Sequence, residues 1–71
     1  MKTFLFGEEI EVSRTGTYPD MTLIRLLPVD TRFFVCSFDD TSVDFVPIMA
    51  VRNGMQKSFW IKREDIHQKH S

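Results

Sequence analysis

The sequence predicts an all-β fold, a small five-stranded antiparallel barrel or a strongly bent sheet. Runs rich in Phe, Val, Ile and Leu alternate with short clusters of turn-forming residues, at the spacing of consecutive antiparallel strands. The chain has 71 residues and a hydrophobic content of 42%, which fit one domain around one core. Five short strands that curl over one core form a small barrel.

Five segments are predicted to be strands. They are residues 4–13, 21–27, 32–38, 43–52 and 55–62. In the first segment Phe6, Ile10 and Val12 share one parity, which is typical of a strand with one buried face. The second segment is apolar with little alternation, which indicates a strand that is buried on both faces or bent across a corner.

The polar C-terminal stretch is predicted to lie outside the sheet. From Arg63 to Ser71 the only apolar residue is Ile66. We therefore expect one helical turn around residues 63–66, followed by a frayed end. The predicted β domain spans residues 1–66, and the polar tail comprises residues 67–71.

The pair Asn53-Gly54 predicts a β-hairpin closed by a type I′ turn, because both central residues of that turn need positive φ. Counting from this turn fixes the register of the two flanking strands. Ile48 then lies opposite Phe59, Val46 opposite Ile61, and Pro47 opposite Trp60.

A second turn at residues 39–42 predicts a second register, with Cys36 opposite Phe45 and Val35 opposite Val46. The two registers agree on which residues share a face of the sheet. One face collects Phe33, Val35, Val46, Ile48, Phe59 and Ile61, and the other collects Phe34, Cys36, Phe38, Val43, Phe45, Pro47 and Trp60. Both faces are apolar, so one of them either is covered by the rest of the chain or is offered to a partner.

Three segments resemble parts of SH3-like small β-barrels. The first, Gly7-Glu8-Glu9-Ile10-Glu11-Val12, is similar to their opening strand. The segment Phe34–Asp40 resembles a Tudor-type strand with apolar residues at alternate positions and an acidic end. The segment Phe59–Ile66 is similar to the closing strand of bacterial SH3-like domains. The resemblance implies a Tudor-like or bacterial SH3-like barrel, and it implies a fold rather than a ligand.

Composition excludes several classes of protein. A single cysteine, Cys36, excludes an internal disulfide framework. The apolar run at the N-terminus is broken at Gly7, so it is too short for a signal peptide, and no apolar run approaches the length of a membrane span. We therefore expect a cytoplasmic protein with no membrane partner. A net charge of −1 and a pI of about 6.0 argue against a general nucleic-acid binder.

The sequence predicts no catalytic, cofactor or metal site, and hence no enzyme. Cys36 alternates with aromatic residues on an apolar face, where cysteine acts as a small hydrophobic residue. His67 and His70 have the spacing of a metal-binding pair, but a zinc site needs a third protein ligand. The acidic stretch from Asp39 to Asp44 lacks the glycine and glutamate of a calcium-binding EF-hand loop.

The favoured function is a protein-interaction module, such as a small adaptor or inhibitor. Its predicted partner-binding residues are Phe45, Pro47 and Trp60. Tryptophan is enriched in interface hot spots, and proline within a strand indicates a position without a ladder hydrogen bond, which predicts that Pro47 lies near an edge of the sheet. The partner is a protein of unspecified identity, and a second copy of this chain is an alternative occupant.

A nucleic-acid-binding barrel is the alternative function. The last 27 residues carry five bases and two acids, and several of these bases lie close to Phe59 and Trp60. Bases interleaved with aromatic residues are typical of single-stranded nucleic-acid binding. The predicted contacts are Lys57, Lys62 and Arg63.

Overall fold

The structure, a computed structural model, describes residues 2–69 and consists mainly of one antiparallel sheet. The strands are β1 (Glu9–Val12), β2 (Arg32–Val35), β3 (Phe45–Arg52), β4 (Met55–Lys62) and β5 (Ile66–Gln68); a helix, α1 (Pro19–Ile24), lies between β1 and β2, and a 3₁₀ turn (Arg63–Asp65) lies between β4 and β5. The strand order is β4-β3-β2-β1-β5. The prediction of five antiparallel strands with little helix is confirmed, and the sheet is open, with β4 and β5 at its edges.

The β3–β4 hairpin has the register that was counted from Asn53-Gly54. Asn53 has φ of 49° and Gly54 has φ of 82°, the left-handed conformations that a type I′ turn requires. The pairs Ile48–Phe59, Val46–Ile61 and Pro47–Trp60 are all present. This hairpin was predictable because a two-residue turn leaves only one register.

Replacing Gly54 with valine should lower the free energy of unfolding by about 1–2 kcal/mol. A Cβ at this position would meet no heavy atom within 4 Å, so the cost is left-handed backbone strain rather than a clash. Thermal melting of Gly54→Val measures that strain. Asn53→Gly is the control, because glycine at position 53 tolerates the positive φ of the turn. An unchanged melting temperature in Gly54→Val would show that residue 54 does not adopt the left-handed conformation of a type I′ turn.

The β2–β3 register differs by two residues from the predicted one. Val35 pairs with Ile48 rather than with Val46. The connection is longer than predicted, because the Asp39 carboxylate turns inward to bind Arg63 and a local turn joins the Val43 N–H to the Asp40 carbonyl. Since side chains alternate with period two, a shift of two residues keeps every residue on its predicted face.

One face of the sheet forms the core together with α1 and the N-terminal segment. All six residues predicted for the first face are buried. The complete core consists of Phe4, Ile10, Met21, Ile24, Phe33, Val35, Val46, Ile48, Ala50, Phe59, Ile61 and Ile66. The second predicted face is half-buried to exposed and therefore lies on the outside of the sheet.

The prediction of a strand at residues 21–27 is wrong, because residues 21–24 belong to the helix α1 and residues 25–27 form the turns that follow it. Pro19 takes the first helical position, where its missing N–H costs nothing, and Asp20 supplies a negative charge in the first turn. Met21 and Ile24 are buried at a spacing of three residues, which is a helical period. No helix within residues 2–69 has the length and apolar character needed to cross a membrane.

The first strand is shorter than predicted. Gly7 has φ of 82°, and the Glu8 N–H donates to the Leu5 carbonyl at 3.0 Å, so a turn separates the N-terminal residues from β1. Phe4 still reaches the core, whereas Phe6 is exposed.

The sheet extends further toward the C-terminus than predicted. His67 and Gln68, which were expected in the frayed tail, continue β5 and pair with β1. Only Ile66 of this strand is buried, so a polar sequence is compatible with a short edge strand.

Candidate functional site

The outer face of the sheet carries a groove lined by aromatic and other apolar side chains. Phe45 and Pro47 come from β3, Trp60 comes from β4, and Phe38 and Val43 come from the β2–β3 loop. Ser37 and Asp40 complete its wall, and the groove has a volume of about 500 Å³. We call this feature the aromatic groove.

The groove residues are exposed although they are large and apolar. Trp60 is 56% exposed and Phe38 is 84% exposed, whereas Phe59, the neighbour of Trp60 on the core face, is only 3% exposed. Phe45 and Pro47 are half-buried. Trp60 and Phe45 therefore lie on a face that the described chain leaves incompletely covered, as the alternation of β4 predicts.

Two aromatic pairs extend the groove beyond the strands. The ring of Phe45 packs edge-on against Tyr18, with centroids 5.8 Å apart. On the opposite side, the ring of Phe38 lies 5.4 Å from that of Phe6, which is also exposed. An apolar strip therefore runs from Phe6 to Trp60, and contiguous strips of this kind mark interaction sites on soluble proteins.

Pro47 occupies a position where β3 extends past the end of β2. The last β2–β3 pair is Val35–Ile48, and beyond it the Cys36 N–H donates to the Pro47 carbonyl at 3.0 Å. The sequence placed Pro47 near a sheet edge, but β3 is an interior strand. The proline is accommodated because the ladder stops beside it rather than because β3 lies at an edge.

Side chains near the start of α1 hold the outer edge of β4. The Trp60 N–H donates to the Asp20 carboxylate at 2.6 Å, and the Lys62 N–H donates to the Tyr18 hydroxyl at 3.1 Å. That hydroxyl donates to the Asp65 carboxylate at 2.7 Å, and burial followed by this hydrogen bond raises the pKa of Tyr18. Because the bond of Asp20 is to backbone, it fixes β4 beneath Trp60 and leaves the indole ring free.

A buried ion pair holds the β2–β3 loop. The Arg63 guanidinium donates to both carboxylate oxygens of Asp39, at 2.6 and 2.7 Å. It also donates to the carbonyls of Lys2, Asp40 and Val43 at 3.0–3.2 Å. Since Phe38 and Val43 lie on this loop, the ion pair fixes one wall of the aromatic groove.

One carboxylate, that of Asp40, lines the groove. Asp20 reaches the edge of β4 through its bond to the Trp60 N–H, and Asp44 lines a neighbouring cavity together with Lys2, Lys62 and Arg63. Hydrogen bonds from the Ser42 hydroxyl and N–H lower the pKa of Asp40, so this carboxylate is ionised at neutral pH.

The three predicted nucleic-acid contacts do not form one surface. Arg63 is buried and bound to Asp39, which removes it from the set of available cations. Lys57 lies on the core side of β4, with its ammonium 5.6 Å from the Phe59 ring, whereas Lys62 lies on the opposite side, 5.3 Å from the Tyr18 ring. Residues 57 and 62 differ in parity, so their side chains lie on opposite faces of β4 and cannot line one basic groove.

A Ser–His contact was not anticipated from the sequence. Ser13 Oγ lies 2.7 Å from His67 Nε2, and His67 Nδ1 lies 3.3 Å from the Lys2 ammonium. This contact joins β5 to the residue that follows β1.

Potential metal ligands are dispersed in the part of the chain that the structure describes. No three His, Cys, Asp or Glu side chains of residues 2–69 gather in the arrangement of a metal site. His70, which the sequence pairs with His67, lies outside the described residues.

Sequence reasoning assigned Phe38 and Val43 to the correct face but did not include them in the binding site. Their shared parity with Phe45 was the signal that could have included them. It also missed Tyr18 and Asp20, although an aromatic residue, a proline and an acid before an apolar run is a helix-start signal.

Comparison with protein-family models, with curated proteins and with solved structures gave no match.

Proposed function

We propose that this chain is a non-enzymatic protein-interaction module, a small adaptor or inhibitor, that binds its partner in the aromatic groove. Phe45, Pro47 and Trp60 would form the centre of the interface. The observation that carries the proposal is the exposure of Trp60 on a strand whose backbone is held from both sides. An exposed, rigidly supported tryptophan beside a half-buried aromatic residue is the usual make-up of an interface hot spot.

The fold proposed for this module is an SH3-like, partly closed barrel. The connection from Lys62 to Ile66 reaches at most about 14 Å, at roughly 3.6 Å per residue. In a flat sheet the two edge strands would lie about 19 Å apart, at roughly 4.8 Å per neighbouring pair. A 3₁₀ turn of three residues joins these edges, and this short link supports a sheet that curls toward closure.

The alternative, a nucleic-acid-binding barrel, is less well supported by the geometry. It requires Lys57, Lys62 and Arg63 to act on one phosphate backbone, whereas one of them is buried and the other two lie on opposite sides of β4. The Asp40 carboxylate, which lines the aromatic groove, would also repel phosphate groups.

Trp60→Ala should weaken partner binding by about 2 kcal/mol or more, as truncation of an interface hot spot does. The partner is first recovered by affinity capture from the native host and then titrated against both proteins. Leu26→Ala is the matched control, because Leu26 is an exposed apolar residue outside the groove, and it should leave the affinity unchanged.

Light scattering of the free protein completes this test. A mass that falls from dimer to monomer in Trp60→Ala would identify a second copy as the occupant. Full affinity for the captured partner in Trp60→Ala, with an unchanged mass, would contradict the proposed site.

A further inference from the structure

We infer that the outer edge of β4 at residues 56–58 is a docking site for an extended segment of another protein. That segment would add to the sheet as a further strand and place an acidic side chain opposite Lys57. We call residues 56–58 the open edge. They lie outside the aromatic groove, so this surface is separate from the proposed interface and does not depend on the proposed function.

The register of the β3–β4 hairpin determines which backbone groups of β4 point outward. In an antiparallel pair, alternate residues exchange both hydrogen bonds across the ladder, and the residues between them direct their N–H and C=O groups to the other side. The two-residue turn makes its flanking residues a bonded pair, so Gln56, Ser58, Trp60 and Lys62 face the outer edge. The N–H groups of Trp60 and Lys62 do donate to side chains outside the sheet.

The open edge offers unpaired backbone groups to a partner. β4 is an edge strand, and neither the N–H nor the C=O groups of Gln56 and Ser58 bond to another described residue on that side. Both side chains are exposed. Unpaired strand edges are templates for pairing, and addition of a peptide strand to such an edge is a common mode of recognition.

The rest of the β4 edge is closed, which limits the length of the partner strand. Beyond Ser58, a continuing strand would need the Trp60 N–H, which already donates to the Asp20 carboxylate at 2.6 Å. In the other direction the edge stops at the turn, where Gly54 has φ of 82°. The paired part of the partner segment therefore has one central residue between two residues that bond to Gln56 and Ser58.

Lys57 selects an acidic residue at that central position. It lies between the two outward-facing residues and forms none of the ion pairs within residues 2–69. Its ammonium lies 5.6 Å from the Phe59 ring. An antiparallel strand puts one residue directly opposite Lys57 in a non-hydrogen-bonded pair, where side chains approach most closely. Opposite charges attract across such a pair, and like charges repel.

A second copy of β4 fits the open edge poorly. Two copies that pair antiparallel with Gln56 opposite Ser58 would place the two Lys57 side chains directly opposite each other. Pairing of Ser58 with Ser58 would bring Gln56 to Trp60, whose N–H is already bonded. Pairing of Gln56 with Gln56 would bring Ser58 to the left-handed Gly54. The occupant is therefore a different chain with an acidic residue in an extended segment.

A random peptide library displayed on phage, selected against the full chain, tests this site without knowledge of the partner. Ser58→Pro removes the outward N–H at a position where proline is tolerated, and Ser58→Ala, which keeps that N–H, is the matched control. We expect clones that bind Ser58→Pro at least about tenfold more weakly, bind Ser58→Ala normally, and carry Asp or Glu. The absence of such clones, or clones with this dependence that lack an acidic residue, would overturn the inference.

A selected peptide is then compared with its counterpart in which Asn or Gln replaces the acidic residue. Loss of the charge should weaken binding to wild type about threefold and should leave binding to Lys57→Gln unchanged. Lys62→Gln, on the opposite face of β4, is the control and should keep the preference for the acidic peptide. A preference for the acidic peptide that persists in Lys57→Gln would contradict the assigned pairing.

Amide hydrogen exchange of the wild-type protein, followed by NMR, needs no variant to fold. In the free protein the Gln56 and Ser58 amides should exchange faster than the Phe59 amide, which is bonded to β3. The peptide should slow exchange at Gln56 and Ser58 and change the Trp60 amide little, because that amide is already bonded. Unchanged exchange at Gln56 and Ser58 in the saturated complex would overturn the inference. So would a dimeric mass of the free protein that falls to that of a monomer in Ser58→Pro, since it would assign the open edge to a second copy.

Discussion

Arg63→Ala should lower the free energy of unfolding by about 3 kcal/mol, as expected when one partner of a buried ion pair is removed. The Arg63 and Asp39 side chains are 10% and 4% exposed. Without the guanidinium, the Asp39 carboxylate keeps only the hydrogen bond from the Phe4 N–H. Three backbone carbonyls that accept from Arg63 also lose that donor.

This loss is large for so small a domain, whose total stability is expected to be roughly 4–10 kcal/mol. Urea denaturation followed by circular dichroism measures it. Arg63→Lys is an informative control, because lysine keeps the charge but cannot form the two-pronged contact, so an intermediate loss is expected.

Arg32→Ala breaks an exposed ion pair with Glu9 and should have a much smaller effect than Arg63→Ala. Comparison of the two variants separates the stability lost with a buried ion pair from the stability lost by removing any arginine. Similar losses in both would contradict the central role given to the Arg63–Asp39 pair.

Acid should weaken the same ion pair. Hydrogen bonds from Arg63 hold the pKa of Asp39 below its ordinary value of 3.8. A carboxyl group whose pKa is lower in the folded state stabilises the fold above its unfolded pKa, and this contribution disappears as the pH falls through its folded pKa. The stability difference between wild type and Asp39→Asn should therefore be constant near neutral pH and shrink below about pH 4. A difference that does not change with pH would show that folding leaves the pKa of Asp39 unchanged, which would contradict its ion pair with Arg63.

The parts of the fold that sequence predicts well are those in which neighbouring residues determine the geometry. Asn53-Gly54 specified a turn, the turn specified a register, and the register separated Phe59 from Trp60. Where the error was an even shift, as in the β2–β3 pairing, the assignment of residues to faces survived because side chains alternate with period two.

The remaining features depend on contacts between residues distant in sequence. Asp39 was assigned to an ordinary turn, because the residues next to it do not indicate that it pairs with Arg63, 24 residues further along the chain. The helix α1 was predicted as a strand, because a short apolar run has no clear period and its burial against the sheet is decided by tertiary packing. The support of β4 by Asp20 was missed for the same reason, since Asp20 meets the Trp60 N–H only after α1 has folded onto β4.

Phe59→Ala should lower the free energy of unfolding by about 3–5 kcal/mol, the cost of a cavity left by a buried aromatic side chain. Phe59 lies on the core face of β4, opposite Ile48, and is almost completely buried. Its loss would leave empty space between the sheet and the rest of the core, which a short chain has few residues to fill. Phe59→Leu, which removes less volume, should lose clearly less stability.

Trp60→Ala is the matched variant, because the adjacent residue on the same strand points to the opposite face. Its backbone N–H keeps the bond to Asp20 after truncation, so β4 remains anchored. More than half of the surface of Trp60 is exposed, so the stability lost should be well below that of Phe59→Ala. Parallel urea denaturation of the two variants measures this difference. Equal losses would show that Trp60 belongs to the core, and the proposed interface through Phe45, Pro47 and Trp60 would then have to be abandoned.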